Sequence, residues 1–159
     1  MAKYEMNLDL NVLNHLGINL YTKIPAVLSE AVANAYDADA ENVDIVITDD
    51  CVTITDNGSG MNTDQVNKRF HTVGYQKRTD EKETPIFHRK PMGRKGIGKL
   101  SLFSIAKNIE IHTYNGETKD AFAIDVDELK KFISDPDNSR QHKSFAPTPI
   151  TPVIEKKGT

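Results

Sequence analysis

Two β-branched runs, residues 43–48 and 52–55, are separated by Asp49-Asp50 and followed by Asp56-Asn57-Gly58-Ser59-Gly60-Met61. No other feature of the chain restricts its fold as strongly. Branched side chains favour extended backbone, and a short acidic break between two such runs predicts an antiparallel hairpin. The glycine-rich exit then forces a loop where a strand would otherwise continue.

Upstream of the hairpin, residues 26–38 read as a helix. Val27, Leu28, Ala31, Val32 and Ala35 form one apolar stripe, Pro25 suits a first turn, and Thr22 is a candidate cap. Before it, Tyr4, Met6, Leu8 and Leu10 alternate with polar residues as in a half-buried strand, and a turn with Gly17 follows, so residues 1–20 are read as strand and turn. Beyond the glycine loop, Asn62 or Thr63 is placed to cap a helix running to about Thr72. Residues 74–95 are polar and basic with little periodicity, and are read as a mobile loop. A helix over 100–106, a strand over 109–114, a turn at Asn115-Gly116, a strand over 121–126 and a short helix over 128–133 complete the regular structure. Residues 135–149, rich in Pro, Asp and Ser, are read as loop. The pattern predicts an α+β fold: a two-layer sandwich of helices on a mixed, mostly antiparallel sheet.

The 159 residues fit one domain, and 38% hydrophobic content without Trp is enough for one core. A net charge of -3 gives no reason to expect bulk nucleic-acid binding. Cys51, the single cysteine, excludes an internal disulfide and is read as a core residue of a strand. The N-terminus has no signal-peptide pattern and no apolar run spans a membrane, so the expected compartment is the cytoplasm.

Three segments carry chemistry. In the first helix Glu30, Asn34 and Asp37 fall at i, i+4 and i+7, on one face. A carboxamide there can give Mg²⁺ one neutral oxygen, and a carboxylate one turn away can take a proton from an attacking water. Taken alone, such a face is an ordinary solvated helix surface. In the second segment Asp56 ends a strand and can accept a hydrogen bond from an exocyclic amine. Gly58 and Gly60 allow close backbone approach to a flat ring, and Met61 offers a polarizable contact. Taken alone, this is common turn chemistry. In the third, Gly93-Arg-Lys95-Gly96-Ile97-Gly98-Lys99-Leu-Ser101, three glycines and three cations precede a helix, as an anion site requires. It is not a P-loop, because Leu100 stands where Ser or Thr must hold Mg²⁺ and a polar loop precedes it. A dinucleotide fingerprint also fails, since Ser101 replaces the last Gly and no βαβ unit surrounds it.

In this order and spacing, Glu30-x-x-x-Asn34-Ala-x-Asp37-Ala, Asp56-x-Gly58-x-Gly60-Met61 and Gly93-x-x-Gly96-Ile97-Gly98 resemble the three ATP-binding boxes of the gyrase B, heat-shock chaperone, histidine kinase and MutL (GHKL) superfamily. The run from Val43 to Met61 is especially similar to MutL-type members, and the resemblance covers about residues 8–126. It implies the Bergerat ATP-binding fold, with ATP and Mg²⁺ as ligands. It also implies that Asn34 ligates Mg²⁺, Asp56 binds the adenine amine, and Gly58 and Met61 line the base. The loop Gly96–Gly98, with Gly93, Lys95 and Lys99, would hold the phosphates. Residues 74–95 become an ATP lid, and Glu30 occupies the place of the hydrolytic base. Histidine kinases usually lack that glutamate, so the resemblance implies a hydrolase rather than a kinase.

At the C-terminus, Gly158-Thr159 resembles the Gly-Thr pair that opens the final central strand of such domains. That would put Thr159 beside Asp56, with the strand itself cut off. A slow ATPase that closes its lid and dimerises within a larger protein is the leading expectation, with a DNA or protein client supplied by other domains and no membrane. A nucleotide sensor without turnover and a kinase are the alternatives. His15, His71, His88, His112 and His142 have no metal-ligand spacing. Arg69, Lys77, Arg78, Arg89 and Lys90 are read as solvated lid charges, one of which could touch phosphate, and Tyr36 as a packing residue.

Overall fold

In a computed structural model, the described residues are 24–67, 83–92, 98–135, 137 and 144–159. The strand expected near Tyr4, the first part of the segment 74–95, and Gly93, Lys95, Gly96 and Ile97 lie outside them.

The first helix, α1, runs Ile24–Asp37. Its end is a C-cap in which Asp39 takes the left-handed conformation usually left to glycine, with φ 60. The Ala40 N–H bonds the Ala35 carbonyl at 3.0 Å and the Asp39 N–H bonds that of Tyr36 at 3.1 Å, so the last turn is closed. Val27 and Ala35 of the apolar stripe are buried, whereas Val32 is 41% exposed.

Strands β1, Val43–Ile47, and β2, Val52–Asp56, pair antiparallel with Val43 opposite Asp56 and Ile47 opposite Val52, as the branched runs predict. Cys51 is a correction. It belongs to the hairpin turn, closed by Thr48 N–H to the Cys51 carbonyl at 2.9 Å, and is exposed rather than part of the core. Val46 and Ile47 beside the turn are also exposed.

A short helix, α2, Thr63–Gln65, begins at Asn62, whose side chain accepts from the Gln65 N–H while Gln65 reaches back to the Asn62 N–H. A 3₁₀ helix covers Gly98–Ser104, beginning two residues before the helix expected over 100–106. Strands β3, Asn108–Tyr114, and β4, Lys119–Asp125, form a second antiparallel pair around Asn115-Gly116. The Asn115 side-chain oxygen accepts from the Glu117 and Thr118 N–H groups, which fixes that turn. Helix α3 spans Val126–Ser134, longer than expected because Asp125 caps it through the Asp127 and Glu128 N–H groups. Within the stretch read as loop, Thr148–Pro149 forms a short strand, β5, on the edge of β4. Proline is compatible with an edge, where its missing N–H costs no ladder bond.

The fold is α+β. Its core joins Val66, Phe103, Ile109, Phe122, Ile124, Val126, Leu129 and Ile133, so β3, β4, α3 and the 3₁₀ helix share one apolar interior. Among the described residues the strands form two ladders, β1-β2 and β3-β4-β5. The last two residues join them. Gly158 and Tyr114 exchange two backbone hydrogen bonds of 2.9 Å, and the Asp56 N–H donates to the Thr159 carbonyl at 2.8 Å. No helix among the described residues is long and apolar enough to cross a membrane.

Candidate functional site

The C-terminal end of α1 is where the chemistry-bearing segments meet. The Ser59 N–H of the glycine loop donates to the Ala38 carbonyl at 2.7 Å. The Met92 N–H, one residue before Gly93, donates to Asp37 Oδ1 at 2.7 Å. The 3₁₀ helix that begins at Gly98 packs alongside α1. Glu30 is half-buried on this helix and Asn34 is exposed, while Asp37 is buried. Asp37 therefore spends one carboxylate oxygen holding the chain that leads into the third motif.

Asp56 closes β2 half-buried, with Oδ1 accepting from the Gly58 N–H at 2.8 Å. Burial pushes its carboxyl above the ordinary value, and backbone hydrogen bonds from Gly58 and Thr159 offset this only in part. The fold therefore favours its charged form less than water does. Asn57 turns the other way and ties the loop down by accepting from the Glu41 and Asn42 N–H groups.

The glycines of this loop answer to protein packing. A Cβ on Gly58 would stand 2.7 Å from the Ala38 carbonyl oxygen, and one on Gly60 would stand 2.1 Å from that of Tyr114. Gly60 also has φ +63, which an L side chain rarely adopts. The Met61 side chain leans on the apolar core, and its N–H donates to Thr113 Oγ1 at 2.8 Å.

Thr113 is a site residue the sequence reading missed. Fully buried on β3, its hydroxyl contacts the Met61 N–H, the Gly158 carbonyl at 3.3 Å and the Thr159 hydroxyl at 3.2 Å. It therefore links the second motif to Thr159. Only strand parity in a known register would have singled it out. Asp39 and Thr84 were also missed. Both are buried, and the Thr84 hydroxyl donates to Asp39.

Arg89 is a correction to its reading as a solvated charge. Its guanidinium donates to the Ala40 carbonyl at 2.8 Å and lies 4.7 Å from the Tyr36 ring centre and 4.6 Å from that of Phe87. The reason is that the carbonyls at and just past the end of α1 attract a cation, and two rings flank it. Lys90 is exposed, as expected. Arg69, Lys77, Arg78, His71 and His142 lie outside the described residues, and of Gly98 and Lys99 only the backbone is described. Ser101 Oγ is buried with no hydrogen-bond partner among the described residues.

Residues 21–155 match the model of the family described as "Histidine kinase-, DNA gyrase B-, and HSP90-like ATPase". The chain is 42% identical over 131 residues, 82% of its length, to a putative type II restriction enzyme HgiDII of Herpetosiphon aurantiacus, covering 21% of that protein. It is 31% identical over 150 residues, 90% of its length, to the DNA mismatch repair protein MutL of Lactobacillus delbrueckii subsp. bulgaricus, covering 22% of it. A MutL of Bacteroides fragilis is 28% identical over 107 residues, 65% of the chain and 17% of the relative. The chain thus spans about a fifth of the length of these relatives.

Proposed function

This chain belongs to the histidine kinase-, DNA gyrase B- and HSP90-like ATPase family, and on that premise we propose that it binds ATP at the end of α1 and hydrolyses it with Mg²⁺. The observation that carries this reading is the half-buried Asp56 carboxylate ending β2, anchored through Oδ1 by the Gly58 N–H of a glycine loop that docks on the end of α1. An exocyclic amine is a donor that such a carboxylate can accept, and adenine offers one.

In this reading Asp56 selects the base, with Gly58, Gly60, Met61 and Thr159 around it. Thr113 holds the Met61 backbone and the Thr159 hydroxyl in place. Asn34 would hold Mg²⁺ by its carboxamide oxygen, and its exposure leaves that oxygen accessible to a hydrated ion. Mg²⁺ would supply charge neutralisation at the phosphates. Gly93, Lys95, Gly96, Ile97, Gly98 and Lys99 would surround the phosphates, with Asp37 docking their leading edge. Glu30, one helical turn before Asn34, would accept the proton of the attacking water. Nucleotide state would then act on the part of the lid segment 74–95 outside the docked residues 84–92, and drive dimerisation of a larger protein. Relatives named for restriction and mismatch repair favour a DNA-directed role for that protein.

Calorimetric titration of the chain with ATP, with and without Mg²⁺, tests the reading. Saturable binding of one nucleotide, tightened by Mg²⁺, is expected. Absence of binding at millimolar ATP would overturn it.

A further inference from the structure

The segment 83–92 leaves its apolar side chains exposed, Pro91 excepted, and is held on α1 by a buried polar cluster. Asp39 is 4% exposed, and its carboxylate accepts from the Thr84 hydroxyl, from the Ile86 N–H at 2.8 Å and from the Phe87 N–H at 3.3 Å. Thr84 Oγ1 in turn accepts from the Arg89 N–H at 3.0 Å. The Arg89 side chain returns to the helix, bonding the Ala40 carbonyl between the Tyr36 and Phe87 rings. Met92 N–H then meets Asp37, and the next residue in the chain is Gly93.

Each part of this cluster is specific. Asp39 sits at a left-handed position where glycine would be easier, so the backbone alone does not call for a carboxylate there. Burial disfavours its charge, but the three donors and Arg89 together outweigh that and hold its carboxyl below the ordinary value. Ile86 and Phe87 on the same segment remain 55% and 44% exposed and Pro91 is its one buried apolar residue, so apolar burial accounts for little of the docking.

We propose that Asp39 and Arg89 are positioning residues for nucleotide phosphate: they fix residues 84–92 on the end of α1 and so set where the chain enters the glycine segment at Gly93. The proposal rests on the ATP reading given above. It assigns to Asp39 no contact with the nucleotide. Its effect passes through the Ile86 and Phe87 backbone, Thr84, Arg89 and the Met92–Asp37 bond.

The test compares MgATP with adenosine. Adenosine carries the base and no phosphate, so it reads the Asp56 end alone. Asp39→Asn keeps the shape and tolerates the left-handed backbone. It should weaken MgATP by about tenfold or more, the scale of a lost charge-assisted hydrogen bond, and adenosine by no more than about twofold. Arg89→Lys should behave alike, because an ammonium can neither stack between two rings nor reproduce the guanidinium geometry. Thr84→Val, which conserves volume, supplies the same readout if Asp39→Asn fails to fold. Without nucleotide, amide exchange at Ile86 and Phe87 should accelerate in Asp39→Asn. Parallel losses for MgATP and adenosine would reduce the cluster to a stability role and overturn the proposal, as would unchanged MgATP affinity or unchanged exchange. A parent chain that binds neither ligand would instead defeat the ATP reading itself, and this proposal with it.

Discussion

At the residue scale, Asp56 shows stability and binding in opposition. Its carboxyl is raised above the ordinary 3.8 by burial. A raised folded value means the charged form is disfavoured in the fold, so at neutral pH Asp56 subtracts from stability, and protonation on acidification relieves the strain. Asp56→Asn should therefore leave the melting temperature unchanged or higher. It should weaken ATP by about ten- to a hundredfold, since an amide can turn a donor toward the adenine amine. Thermal melts and calorimetry on one preparation decide this, and an unchanged affinity would remove Asp56 from the base site. Asp39 has the opposite sign. Its lowered value contributes stability that is present above 3.8 and is lost as pH falls through the folded value. Glu30→Ala should retain nucleotide binding and lose about 10²–10⁴-fold in turnover. ATP hydrolysis persisting at the parent rate would show that Glu30 is not the base. Asn34→Ala should weaken ATP more with Mg²⁺ than with chelator, and equal losses would point to a folding defect.

At the element scale, the segments written in local chemistry were readable from the sequence. The hairpin 43–56, the Asn62 cap, the Asn115-Gly116 turn and the strands around it depend on residues within a few positions of one another. What the sequence concealed depends on partners far along the chain. Arg89 looks solvated until Tyr36 and Ala40 are brought beside it, 53 and 49 positions away. Thr113 is one polar residue in an alternating strand until Met61 and Thr159 face it. The glycines were legible as special, but not for the reason the structure gives. Gly60 is required because Tyr114 lies against it. Gly60→Ala should consequently lower stability by at least about 1–3 kcal/mol from the positive-φ strain, with the clash against the Tyr114 carbonyl adding to it. A melting curve matching the parent would show that the loop shifts freely.

At the scale of the whole molecule, the two ladders are joined through Gly158 and Thr159. A Cβ on Gly158 would stand 1.9 Å from the Asp56 carbonyl oxygen, and its φ is +140. Gly158→Val should separate the ladders locally, lowering the melting temperature and nucleotide affinity together. Loss of one without the other would mean that the junction and the base site are independent.

That junction also bears on the order in which the protein assembles. Each hairpin closes a short loop, a process of microseconds, whereas the bond between Asp56 and Thr159 brings together residues about a hundred positions apart, at a larger cost in chain entropy. During synthesis the segments carrying Glu30, Asn34 and Asp56 therefore emerge from the ribosome long before the residues that lock Asp56 in place. A nascent chain that had not yet reached Thr159 would hold both hairpins without the bond that joins them at Asp56, so in the proposed reading nucleotide binding would be acquired only after the two ladders meet.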